Sequence, residues 1–123
     1  MAQTNVSFAP PLAAAQEFIE SALAATPLVV KNASGAIFSI YIDNSAAVSS
    51  VVYVKLYDSN GAVVVGTTDP DWIIRVPVSG IVTIPMVPSI AYASGLQVAA
   101  VTTPGTAGNT PPANVVVVRI VYS

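Results

Sequence analysis

From Leu28 onward, apolar and polar residues alternate in short runs closed by Gly, Pro, Asn or Asp, the pattern of strands buried on one face. Over 36–44, alternation sets Phe38, Ile40 and Ile42 against Ser39, Tyr41 and Asp43. Over 51–58 it sets Val52, Val54 and Leu56 against Tyr53, Lys55 and Tyr57, and Ser59-Asn60-Gly61 then predicts a hairpin into a strand over 62–65. Further strands are predicted over 28–31, 72–76, 81–86, 96–102 and 114–123. In the last, Val116, Val118, Ile120 and Tyr122 form the core side, while Arg119 and Ser123 mark the outer one. About eight strands with turns roughly every ten residues predict an all-β chain, an antiparallel β-sandwich that is jelly-roll or immunoglobulin-like. With no long helical pattern after residue 27, a parallel α/β layout is excluded.

Residues 1–27 differ from this body, being rich in Ala and broken at Pro10-Pro11. Leu12, Ala15, Ile19, Ala22 and Leu23 fall near helical spacing, and Pro11 suits a first helical position, so a helix is predicted over 12–25. Two other arrangements stay open: the segment packs on its own body or pairs as an edge strand, or it extends to a neighbouring subunit. The chain is thus divided into an N-terminal arm, 1–27, partly helical or extended, and a sandwich body, 28–123.

Composition narrows what such a body does. The 123 residues include no His and no Cys, only 4 Lys+Arg and 6 Asp+Glu, yet 54% are hydrophobic. Most catalytic mechanisms need titratable groups that a cleft can tune, and most transition-metal sites need imidazole or thiolate. The expectation is therefore a protein that is not an enzyme, with no catalytic, cofactor or metal residues, and whose uncovered apolar surface sticks to other protein. A formal net charge of -2, with Lys31, Lys55, Arg75 and Arg119 far apart in sequence, argues against nucleic acid as partner. The uncharged stretch between Arg75 and Arg119 is long enough to cross a bilayer, but Pro and Gly break it into short pieces, so no membrane span is expected. The start, Met1-Ala2-Gln3-Thr4-Asn5, has neither the basic nor the apolar region of a secretory signal and predicts cytoplasmic synthesis.

Individual constellations add little chemistry. Asp69-Pro70-Asp71 is the closest carboxylate pair in the body and reads as a turn before it reads as a cation site. Glu17 and Glu20 read as the solvated side of a helix, and no Ser or Thr has a His to activate it. The span 103–111 lacks the Lys of a phosphate loop and reads as a long connection or an exposed contact tip. If the strands over 36–44 and 51–58 pair, Tyr41, Tyr53 and Tyr57 build a tyrosine-rich outer face around Lys55, suited to a protein interface or a sugar platform. Trp72 reads as a core residue or a glycan-stacking one.

Several segments carry a resemblance. Ser39-Ile40-Tyr41-Ile42-Asp43-Asn44, Tyr53-Val54-Lys55-Leu56-Tyr57-Asp58, Gly66-Thr67-Thr68-Asp69-Pro70-Asp71, Gly95-Leu96 and Val101-Thr102-Thr103-Pro104-Gly105 resemble segments of small tailed-phage virion proteins, notably capsid cement or decoration proteins of cyanophage type. The resemblance spans about residues 36–123 and leaves the arm uncovered. It implies a sandwich on the outside of a phage head, synthesised in the host cytoplasm, tying together major capsid protein subunits and associating with itself as a dimer or trimer. Under that expectation the contact elements are Val6, Phe8 and Phe18 of the arm, Tyr41, Tyr53 and Tyr57, Trp72, and the loop from Pro104 to Pro112. The alternatives are a carbohydrate- or receptor-binding sandwich and a tail or baseplate subunit.

Overall fold

A computed structural model describes residues 15–123, which form eight strands and no helix. In chain order these are β1 (Gln16–Glu20), β2 (Leu28–Lys31), β3 (Gly35–Asp43), β4 (Val52–Tyr57), β5 (Trp72–Val76), β6 (Ile81–Tyr92), β7 (Leu96–Val101) and β8 (Val117–Tyr122). They make two four-stranded antiparallel sheets, sheet A in the order β1-β8-β3-β6 and sheet B in the order β2-β7-β4-β5. Successive strands alternate between the sheets except at β4-β5, and the first strand lies beside the last. That order is the double Greek key of a jelly roll and decides against the immunoglobulin arrangement, in which the first two strands share a sheet.

Alternation drives the layering. Val52, Val54 and Leu56 of β4, Leu96, Val98 and Ala100 of β7, Ile40 and Ile42 of β3, and Val118 and Ile120 of β8 are wholly or almost wholly buried between the sheets. Val116 joins them just ahead of β8, and Tyr122 packs half-buried on the same side, as the alternation predicts.

Several expectations change. Residues 16–20 are a strand and not part of a helix: every residue of β1 pairs with β8, and Leu23 just beyond enters the core. Of the helically spaced positions 19, 22 and 23, Ile19 and Ala22 are exposed and Leu23 alone is buried; the segment takes the edge-strand arrangement left open above. Nor do β3 and β4 pair; each belongs to a different sheet. The span 62–65 forms no strand, and Ser59-Asn60-Gly61 opens the long connection 58–71 instead of a tight hairpin. Finally, a bulge shifts the phase of β3. Ile37 faces Tyr122 and Ser39 faces Val121 on β8, so Phe38 is the extra residue and Ile37 takes its predicted place in the core.

β6 is longer than predicted because it continues past two prolines. As the edge of sheet A it tolerates Pro85 and Pro88, which sit beside a wide bulge with a cis Val87-Pro88 bond. Among the described residues no helix is long and apolar enough to cross a membrane.

Candidate interaction surface

The two outer faces of the sandwich are treated differently by the chain. On sheet B, Lys55 and Tyr57 of β4 and Gln97, Ala99 and Val101 of β7 point outward, yet all five are buried. Two long connections, 58–71 and 102–116, fold back over them. The Lys55 ammonium donates to the carbonyls of Thr106 at 3.1 Å and Gly108 at 2.6 Å, and the Gln97 amide donates to the carbonyls of Ser59 at 3.2 Å and Gly61 at 2.7 Å. Both side chains satisfy buried polar groups by gripping loop backbone. Burial without a carboxylate partner in its bonds pushes the Lys55 ammonium below its ordinary pKa. Gly108 is required by this closure, since any Cβ there would collide with the Thr103 carbonyl. Thr102 and Thr110 close the loop base, the Thr102 amide donating to the Thr110 carbonyl at 2.9 Å.

A second tie holds the opposite end. The Asp58 carboxylate accepts from three successive amides of the β6-β7 turn, Ala93 at 2.9 Å, Ser94 at 2.8 Å and Gly95 at 3.3 Å. The Ala93 and then the Ser94 amide contribute most to lowering its pKa, against a small opposing desolvation. Asp71 in turn accepts from the Asp58 amide at 2.7 Å, tying the start of β5 to the end of β4. No group of three or more His, Cys, Asp or Glu that could hold a metal occurs among the described residues.

The loops cover the central strands of sheet B and leave Val29 of β2 and Ile73 of β5 exposed, and sheet A has no such cover among the described residues. Its outward positions include Ile19 and Arg119, which face each other across β1 and β8, and Tyr41, which faces Arg119 from β3. The Arg119 guanidinium lies 5.9 Å from the centroid of the Tyr41 ring, within cation-π range. Asp43, two residues along the same face, accepts from the Ser45 amide at 2.8 Å. Bonds from the Ser45 side chain and then its backbone hold this carboxyl below its ordinary pKa, with a smaller contribution from the Tyr41 hydroxyl.

The loop end beside β3 and β6 is cross-linked by hydrogen bonds and exposes apolar side chains. Buried Asn44 joins the β3-β4 and β5-β6 connections: its side-chain amide donates to Ser50 at 3.0 Å and Pro77 at 3.1 Å, and its backbone amide to Gly80 at 2.8 Å. The Ser79 amide donates back to Ala47 at 2.9 Å. On this cross-linked pair of turns, Val48 is 78% exposed and Val78 41% exposed, and Ile81, opposite Asp43 at the start of β6, continues the apolar surface onto sheet A at 56%.

The tyrosine-rich face is therefore not formed. Tyr41 lies on the outside of sheet A and Tyr53 on the outside of sheet B, on opposite sides of the sandwich, and Tyr57 is sealed beneath the loops at 1% exposure. Trp72 packs half-buried against the core opposite Leu56, and Phe18 does likewise opposite Ile120. Pro104 is exposed and Pro112 half-buried in the loop held by Lys55. Val6 and Phe8 lie outside the described residues. Val48, Val78 and Ile81 were not singled out from sequence, and Ile19 was read only as part of a helical stripe, because an outward apolar residue in an alternating strand or a turn looks like any other. No family model, curated protein or solved structure matches this chain.

Proposed function

We propose that this chain is a non-enzymatic virion structural protein, a cement or decoration protein that binds the outside of a phage head and ties neighbouring major capsid protein subunits together. The observation that carries the reading is the loop end cross-linked through Asn44, which leaves Val48 78% and Val78 41% exposed. Two turns tied together by hydrogen bonds have less to order on binding, which lowers the entropic cost of docking. Each such contact is small, and a shell of identical sites multiplies weak contacts into durable attachment. Within this proposal the end bearing Val48 and Val78 meets the coat.

A cementing role is tested by heating phage shells that lack the protein, with and without the purified chain added. The expected outcome is a higher temperature of shell disruption with the chain, lost when Val48→Asp and Val78→Asp are combined. No effect of the wild-type chain on the shells would exclude the cementing role.

A further inference from the structure

Of the six asparagines in the chain, Asn60 alone is followed by glycine. The pair lies in a bend of the 58–71 connection, with both residues exposed to water. The backbone does not require glycine there. Gly61 has no positive φ, and a Cβ built on it would meet nothing nearer than the Ser59 hydroxyl at 3.9 Å, whereas at Gly108 a Cβ collides with backbone. What the missing Cβ does supply is open access from the Asn60 side chain to the Gly61 nitrogen. Asn44, by contrast, is buried with its side-chain amide donated to two carbonyls.

We propose that Asn60-Gly61 is a self-modification site, at which the folded chain converts Asn60 to an isoaspartyl residue. Solvent base removes the Gly61 amide proton, and the nitrogen attacks Cγ of Asn60; the Cγ–Nδ2 bond breaks and ammonia leaves with a proton returned from solvent, closing a cyclic imide. Water then opens the imide. Addition at Cγ gives aspartate in a normal chain, and addition at the backbone carbonyl of residue 60 leaves the chain running through Cγ, with the new carboxylate on Cα. Neither step consumes an oxidant or a reductant. Gln97 does not block the ring, because it holds the carbonyls of Ser59 and Gly61, at 3.2 Å and 2.7 Å, and neither of these belongs to the imide. The bond that must open is the one the Gly61 amide donates to the Ser59 hydroxyl at 3.1 Å, a single solvent-exposed bond of small net worth.

The same grip gives the modification a consequence. Gln97 spans residue 60, so an extra backbone methylene between the two carbonyls parts them, and one side-chain amide no longer holds both. The added carboxylate takes the formal net charge one unit below -2, in a connection that already carries Asp58, Asp69 and Asp71. Gln97 faces the buried Tyr57 across β7 and β4, so the cover over Tyr57 loosens as the molecule ages. This inference concerns the isolated protein and does not rest on the shell-binding proposal.

The test is prolonged incubation of the folded full chain at mildly alkaline pH, followed by trypsin and mass spectrometry, with an unincubated sample as background. Cleavage after Lys55 and Arg75 gives the peptide 56–75, in which Asn60 is the sole asparagine and no glutamine occurs, so the mass gain from amide to acid reports this position. The wild-type peptide should resolve into aspartyl and isoaspartyl forms, the latter labelled by an isoaspartate-specific methyltransferase used as a probe. Gly61→Ala, for which the fold has room, should unfold at the same temperature as wild type and stay unmodified. The isoaspartyl chain, separated from the unconverted chain by its extra charge, should exchange the amides of 58–71 faster than that chain does, while Asn60→Asp, which adds the charge without the methylene, should not. A folded chain that stays unmodified while the free 56–75 peptide converts overturns the proposal, as does Gly61→Ala converting as fast as wild type. Unchanged exchange in the isoaspartyl chain overturns the loosening of the cover.

Discussion

The ammonium of Lys55 on β4 donates a 2.6 Å hydrogen bond to the carbonyl of Gly108, 53 residues later in the chain. One buried cation thereby fastens the 102–116 connection to the outside of sheet B. Replacing it by a side chain of similar length tests how much of the cover depends on that bond. Lys55→Met removes both donated bonds and, because each acceptor is left to find water, should destabilise the fold by about 1–3 kcal/mol. Amide exchange should rise selectively at Val101, Thr102 and Gly108 and not in sheet A. Uniform protection across both sheets would show that the loop is held by packing alone.

Asp58 ties stability to acid pH. Its folded pKa lies below the ordinary carboxylate value, so its stabilisation is present at neutral pH and is lost as pH falls through the depressed folded value. Asp58→Asn should cost about 1–3 kcal/mol at pH 7 and should flatten the acid limb of the stability profile below roughly pH 4. Equal acid sensitivity in variant and wild type, followed by urea unfolding at each pH, would remove Asp58 as its source.

Tyr92 sets an alkaline limit. Burial first, and the neighbouring Tyr122 second, push its hydroxyl up to about 12, and the hydroxyl donates to the Ser123 carbonyl at 2.7 Å. A tyrosine whose folded pKa is raised favours folding fully below its unfolded value of about 10 and loses that contribution as pH climbs towards its folded one. Tyr92→Phe should be less stable at pH 7 by about 1 kcal/mol and lose less stability above pH 10 than wild type does. Thermal unfolding from pH 8 to 12 reads both effects, and parallel curves for the two proteins would refute the assignment.

The tyrosines of β3 and β4 separate by mutation. Tyr57 is sealed and its hydroxyl has no partner among the described residues, so Tyr57→Phe should be neutral or stabilising, whereas Tyr57→Ser should cost about 3 kcal/mol or more. Tyr41→Ser, on the open face of sheet A, should cost less than about 1 kcal/mol. Denaturant midpoints of the three variants give the order directly.

These contrasts mark where sequence patterns end. Strands β4, β5 and β7 were legible to within a residue or so because alternation or a compact apolar run met clear turn residues at both ends. The inside of β4 and β8 could be read, since an Ile or Val every second residue has one place to go, whereas the bulge in β3 put Ile37 in the core in place of Phe38. Which sheet a strand joins could not be read: β3 and β4 are consecutive and similar, and the crossover between them is held by hydrogen bonds joining Asn44 and Ala47 to residues 77–80, more than 30 positions along the chain. Local patterning also hid the covering of Lys55. A lysine between two tyrosines looks solvated until a loop 53 residues away is laid across it. The open face of sheet A was missed for a related reason, since Arg119, Tyr41 and Asp43 become neighbours only through long-range register.

The most direct test of the shell-binding account is co-sedimentation of the purified chain with preassembled phage capsids that lack it. The account predicts saturable binding at a fixed ratio per coat subunit, abolished by Val48→Asp with Val78→Asp and retained by Tyr57→Phe. A folded protein that stays in the supernatant at every capsid concentration would contradict it.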